Sequence, residues 1–110
     1  MFDPNFEFAF NSESQLDDII SRFKKQYDSI ITTWQGGLGQ TSNCYIDFHS
    51  DNTYGIGQSE YQHILFVAGK LPEYTQDAQE SQRNFAISIR DFLIAQGCDF
   101  IFIAFFSIDP

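Results

Sequence analysis

The sequence predicts an α+β fold in two layers: two helices against a mostly antiparallel sheet of four to five strands, in the order β-α-β-β-β-α-β. Three observations predict it. Residues 75–106 read TQDAQESQRNFAISIRDFLIAQ, then Gly97, then CDFIFIAFF, which is a long amphipathic helix, a stop and a strand apolar on both faces. Residues 5–10 and 43–50 alternate apolar with other residues at period two, the mark of half-buried strands. Between them, Leu16, Ile19, Ile20, Phe23, Tyr27, Ile30, Ile31 and Trp34 recur at spacings of three and four, a helical stripe.

Taken in order, Phe6, Phe8 and Phe10 share one face of the first strand, with Glu7 and Ala9 on the other. Ser12 with Gln15 fits a capping box, and Glu13, Asp17 and Asp18 sit where a helix dipole favours negative charge. The first helix is expected to follow its stripe to Trp34 and stop at Gly36-Gly37. The β-propensity of SIITT at residues 29–33 argues for an end near Tyr27 instead. Residues 36–40, GGLGQ, read as a turn. As a phosphate-binding loop they are misplaced, because such a loop follows a strand and opens a helix. In NCYIDFHS, Cys44, Ile46 and Phe48 face the core while Tyr45, Asp47 and His49 face out. Asp51-Asn52 signals a turn, residues 53–57 (TYGIG) a short edge strand, and residues 58–62 a loop. HILFVAGK, residues 63–70, is apolar on both faces and so interior to the sheet, and Pro72 leads the chain out of it. The second helix starts near residues 74–76, with Thr75 as a cap and Ala78, Gln82, Phe85, Ala86, Ile89, Phe92, Leu93 and Gln96 inward. The strand at residues 98–107, apolar on both faces, is expected in the middle of the sheet. Helices on one face would leave either Phe100, Phe102 and Phe106 or Ile101, Ile103 and Phe105 to meet solvent, a second layer or a partner.

At 110 residues the chain reads as one domain, 1–110. Thirteen phenylalanines give it a large apolar area for its size. With six basic against fifteen acidic residues the formal net charge is −9, which disfavours nucleic acid and anionic membranes and favours a basic protein partner. Lys24-Lys25 is the one adjacent basic pair. The first residues lack the basic flank of a signal peptide, and no apolar run reaches the ~20 residues of a membrane span. A cytoplasmic setting is expected, with Cys44 and Cys98 free and buried.

Chemistry-bearing patterns are weak. Asp47, His49 and Asp51 at i, i+2, i+4, with His63, would make a carboxylate–imidazole metal set, but a wet strand face accounts for them as well. Cys44 with a histidine would make a thiol–imidazole pair, but Cys44 projects from the core face. No cofactor, metal or catalytic residue is therefore assigned. Asp47, Asp51, Glu60, Glu73, Asp77 and Glu80 would form a negative patch if they share a surface, with Tyr45, Tyr54, Tyr61 and Tyr74 as aromatic anchors. The expectation is an acidic cytoplasmic inhibitor, an immunity protein of a bacterial toxin–immunity pair of the contact-dependent type. It would occlude a basic nuclease toxin. A phage-encoded anti-defence protein mimicking nucleic acid, and a small enzyme or ligand-binding domain that is homodimeric through an apolar sheet face, are the alternatives.

Overall fold

Strand alternation and two helical stripes build the architecture directly. The computed structural model describes residues 4–50, 61–70 and 76–109. Its elements are β1 (Phe6–Asn11), α1 (Leu16–Gln26), β2 (Ile31–Gln35), β3 (Leu38–Thr41), β4 (Cys44–His49), β5 (His63–Gly69), α2 (Gln76–Ala95) and β6 (Asp99–Ala104). The fold is α+β, with two helices and a six-stranded open sheet of order β2-β3-β4-β5-β1-β6, antiparallel throughout. The expected turn at Asp51-Asn52, the strand at 53–57, the exit at Pro72 and the Thr75 cap lie outside the described residues.

Both helices cover one face of the sheet. Phe6, Phe8, Phe10, Cys44, Ile46, Phe48, Leu65 and Val67 point into the core, where Ile19 and Phe23 of α1 and Ala86, Ile89, Phe92 and Leu93 of α2 meet them. Phe23 joins the layers: its ring centroid lies 5.2 Å from Phe48, 5.5 Å from Phe92 and 4.5 Å from Tyr27. Tyr27 in turn bonds Ser88 Oγ through its hydroxyl at 2.7 Å, tying α1 to α2. Gly97 ends α2 with φ +73°, a conformation glycine adopts without strain. The chain then turns back, and Ile108 is buried while Arg83 donates to the Ser107 carbonyl at 2.9 Å. No helix among the described residues is long and apolar enough to cross a membrane.

Four expectations are corrected. First, α1 ends at Gln26 with Tyr27 as its C-cap and Ile31–Gln35 is a strand, so the stripe does not continue as helix to Trp34 and the end near Tyr27 argued by residues 29–33 is the one observed. A β-bulge explains the imitation. Ile31 pairs with Thr41 and Thr33 with Gln40, which leaves Thr32 as an extra residue. The bulge turns Ile31 and Trp34, three apart, to the same core face, and a strand thereby copies helical spacing. Second, GGLGQ is more than a turn. Gly36 has φ +61° and Gly37 does not have a positive φ, the pattern of a two-residue II′ hairpin turn, and Leu38–Thr41 goes on as β3. β2 and β3 are thus two strands that the expected order lacked. Third, β6 lies at the edge, outside β1, and not in the middle. The Ser12–Gln15 box does not form either: Gln15 is the N-cap, with no side-chain cap bond, and Ser12 Oγ accepts from the Ser14 N–H at 3.0 Å.

Candidate functional site

Both described helices lie on one side of the sheet, which leaves the other side without a described helix. Alternation and register decide what stands on it. Pairing across β3, β4, β5, β1 and β6 aligns Leu38, Asp47, Phe66, Glu7 and Ile103 in one row. A second row runs His49, Ile64, Ala9 and Ile101, and a third runs Gln40, Tyr45 and Ala68. Leu38 is 58% exposed, Tyr45 51% and Phe66 37%, an apolar group standing open among carboxylates. Ala9 and Ile64, by contrast, are buried although neither described helix covers them.

Two hollows mark this face. One, of about 530 Å³, is lined by Leu38, Gln40, Tyr45, Asp47, Phe66 and Trp34 among others. The second, of about 420 Å³, is lined by Glu7, Asp47, His49, Ile64 and Phe66. Asp47 and Phe66 belong to both. Next to two residues of the first, the Lys70 ammonium lies 4.8 Å from the Tyr45 ring centroid and donates to Gln40 Oε1 and the Thr41 carbonyl, both at 2.8 Å. In the second, Asp47 Oδ2 meets His49 Nε2 at 2.7 Å, while Asp47 Oδ1 is closed off from solvent with no hydrogen-bond partner. Burial pushes the Glu7 carboxyl above its ordinary pKa.

The comparison with known proteins comes to this surface without a guide. No protein-family model, curated protein or solved structure matches the chain. Function therefore has to be argued from the surface itself.

The structure separates the residues singled out in the sequence. Tyr45, Asp47 and His49 share the uncovered face, as alternation required. Asp77 and Glu80 are exposed in the first turns of α2, in the helix layer on the other side of the sheet from Asp47. Tyr61 is half-buried just before β5. Asp51, Tyr54, Glu60, Glu73 and Tyr74 lie outside the described residues. His63 does not join Asp47 and His49: it faces the core side, its ring 5.2 Å from Phe10, and burial lowers its pKa. Among the described residues no three His, Cys, Asp or Glu side chains come together as a metal-binding group. Cys44 and Cys98 are free. Cys44 is buried, donates to Gln82 Oε1 at 3.1 Å, and burial pushes its thiol up, which makes it a core residue and not a nucleophile. Glu7, Leu38 and Phe66 complete the face. The period-two pattern signalled Glu7 and Phe66, whereas Leu38 was hidden in a glycine-rich stretch.

The Glu7 environment has a pH signature. A folded-state pKa raised above the ordinary 4.5 means that the native chain binds the proton more tightly than the unfolded chain. The associated stability is fully present below 4.5 and is lost as pH rises through the folded pKa. Glu7→Gln is expected to match the native chain in urea denaturation at pH 4 and to be the more stable of the two at pH 7. His63 works in the opposite sense. Its lowered pKa means stability is lost as pH falls from the ordinary 6.5 through the folded value. A pH-independent difference between Glu7→Gln and the native chain would contradict the assignment.

Proposed function

We propose that the uncovered sheet face is a protein-docking surface, and that the chain is an acidic, cytoplasmic inhibitor that occludes a basic protein partner such as a nuclease toxin. The observation that carries this is the cluster of Leu38, Tyr45 and Phe66, 58%, 51% and 37% exposed, standing beside Asp47 and Glu7 on the face that neither described helix covers. Exposed apolar side chains grouped within a polar surround are typical of an interface core, with aromatic residues its usual anchors. The net charge of −9 favours a basic partner and speeds encounter with it. Tyr45 is the anchor this reading uses; Asp77 and Glu80, in the other layer, are outside the contact.

The test is capture of the partner from the native host by the tagged chain, followed by reconstitution from purified components. One basic protein is expected at one-to-one stoichiometry, with its activity suppressed. Leu38→Asp should abolish the complex, and Asp47→Lys should slow association at least about tenfold at low salt. Asp77→Lys with Glu80→Lys should slow it far less. If the α2 pair matters as much as Asp47, docking is not on the sheet face. If the chain recovers only itself, the reading moves to a homodimer, and the β6 edge with Phe105 at 87% exposure is the place to look for it.

A further inference from the structure

The hollow bounded by Glu7, Asp47, His49, Ile64 and Phe66 has a specific chemistry. Asp47, Phe66 and Glu7 are successive in one cross-strand row. Antiparallel neighbours stand about 5 Å apart, so the two carboxylate-bearing positions flank the aromatic one at about 10 Å from each other. Phe66 is 37% exposed between them. Asp47 Oδ2 is held by His49 Nε2 and Oδ1 is closed off from solvent, so the carboxylate acts on an incoming group through its charge. Burial makes the Glu7 carboxylate costly to ionise, and an incoming cation would offset that. The hollow measures about 420 Å³, within the range that holds small groups.

We propose that this hollow is a receptor for an arginine side chain presented by the protein partner. The inference rests on the docking reading above and names its central contact. A guanidinium is flat, weakly hydrated and carries five donors in a fork. It can stack on Phe66 and reach towards a carboxylate on either side. A lysine ammonium is compact and strongly hydrated, and it gains less from the ring and reaches one carboxylate at a time. A metal ion needs ligands converging on a point, and here an aromatic ring stands between the two carboxylates.

The experiment is an NMR titration of the labelled chain with the peptide acetyl-Gly-Arg-Gly-amide, and separately with its lysine counterpart. The arginine peptide is expected to give saturable shifts centred on the amides of Glu7, Asp47, Ile64 and Phe66. The lysine peptide should bind at least about threefold more weakly. Phe66→Leu and Glu7→Gln, each checked for a native spectrum, should weaken the arginine peptide about three- to tenfold. No saturable shift, shifts centred elsewhere, or equal binding of the lysine peptide would overturn the proposal. Failure here remains separable from failure of the docking reading. If Leu38→Asp abolishes the partner complex while the arginine peptide does not bind, the face docks the partner without this slot. If the peptide binds as expected but Leu38→Asp and Asp47→Lys leave the partner complex intact, the slot stands and the inhibitor reading falls.

Discussion

Phe8→Ala is expected to destabilise the chain by about 3–5 kcal/mol, the range for a fully buried phenylalanine whose site cannot collapse. Phe8 is 0% exposed on β1, an interior strand between β5 and β6. Its ring lies 5.0 Å from Phe102, 5.5 Å from Phe100 and 6.0 Å from Phe6, and these neighbours are themselves held by the sheet. A domain of this size has about 5–15 kcal/mol in all, so the loss removes a large share of the stability and, at the low end of that range, nearly all of it. Phe8→Leu keeps most of the volume and should cost about 1–2 kcal/mol, giving a measurable transition if the alanine variant does not. Phe102→Ala is the informative partner. Phe102 also packs on the core, but it is only half-buried and stands on the edge strand β6. Water relieves part of the cavity, and a cost of about 2 kcal/mol is expected. Urea denaturation of the three variants checks the order; Phe102→Ala costing as much as Phe8→Ala would contradict the edge placement.

That comparison also locates the limit of what the residues of β6 announced. DFIFIA is apolar on both faces, and the usual inference places such a strand in the middle of a sheet. Apolarity on both faces reports which side chains stand on each face, and on β5 they include the exposed Phe66. It does not report whether both edges are paired. Phe100 and Phe102 turn to the core against Phe8, while Ile101 and Ile103 stand beside Ala9 and Glu7 on the other face. Nothing in that alternation distinguishes β6 from β5, which is interior. Strand order depends on pairings between distant segments, and a single sequence does not display them.

The candidate site was legible to the extent that it depends on alternation. Tyr45, Asp47 and His49 had to share a face, and so had Ile64, Phe66 and Ala68. That Asp47, Phe66 and Glu7 stand side by side is a fact of register between three strands far apart in the chain. The acidic residues at the start of α2 were grouped with Asp47 because they share a sign; the sheet lies between them. Charge can be counted in a sequence, but a patch requires the layers.

Gly39→Val is expected to cost about 2–3 kcal/mol and to turn Trp34 out of its place. Gly39 pairs with Trp34 across the β2–β3 hairpin, and a β-carbon on it would lie inside the contact radius of Trp34 Cε3 and Cζ3. The position requires glycine for space and not for φ, which is not positive there. The indole lies over the bare backbone of Gly39, donates from Nε1 to the Gly36 carbonyl at 2.6 Å, and packs 6.0 Å from Phe23 and 6.3 Å from Phe48. A valine displaces the ring, and these contacts are lost together. Trp34 is the chain's one tryptophan, so its emission should shift to the red in Gly39→Val under native conditions. Trp34→Leu removes the ring that the new side chain would strike. The double variant is therefore expected to cost clearly less than the sum of the two single ones, since residues in contact do not act independently. Strict additivity, with unchanged emission in the single variant, would mean that the glycine serves something other than the indole. The GGLGQ stretch is thus two devices in five residues: Gly36 takes the positive φ of the hairpin turn, and Gly39 leaves room for the ring that fastens the hairpin to the core.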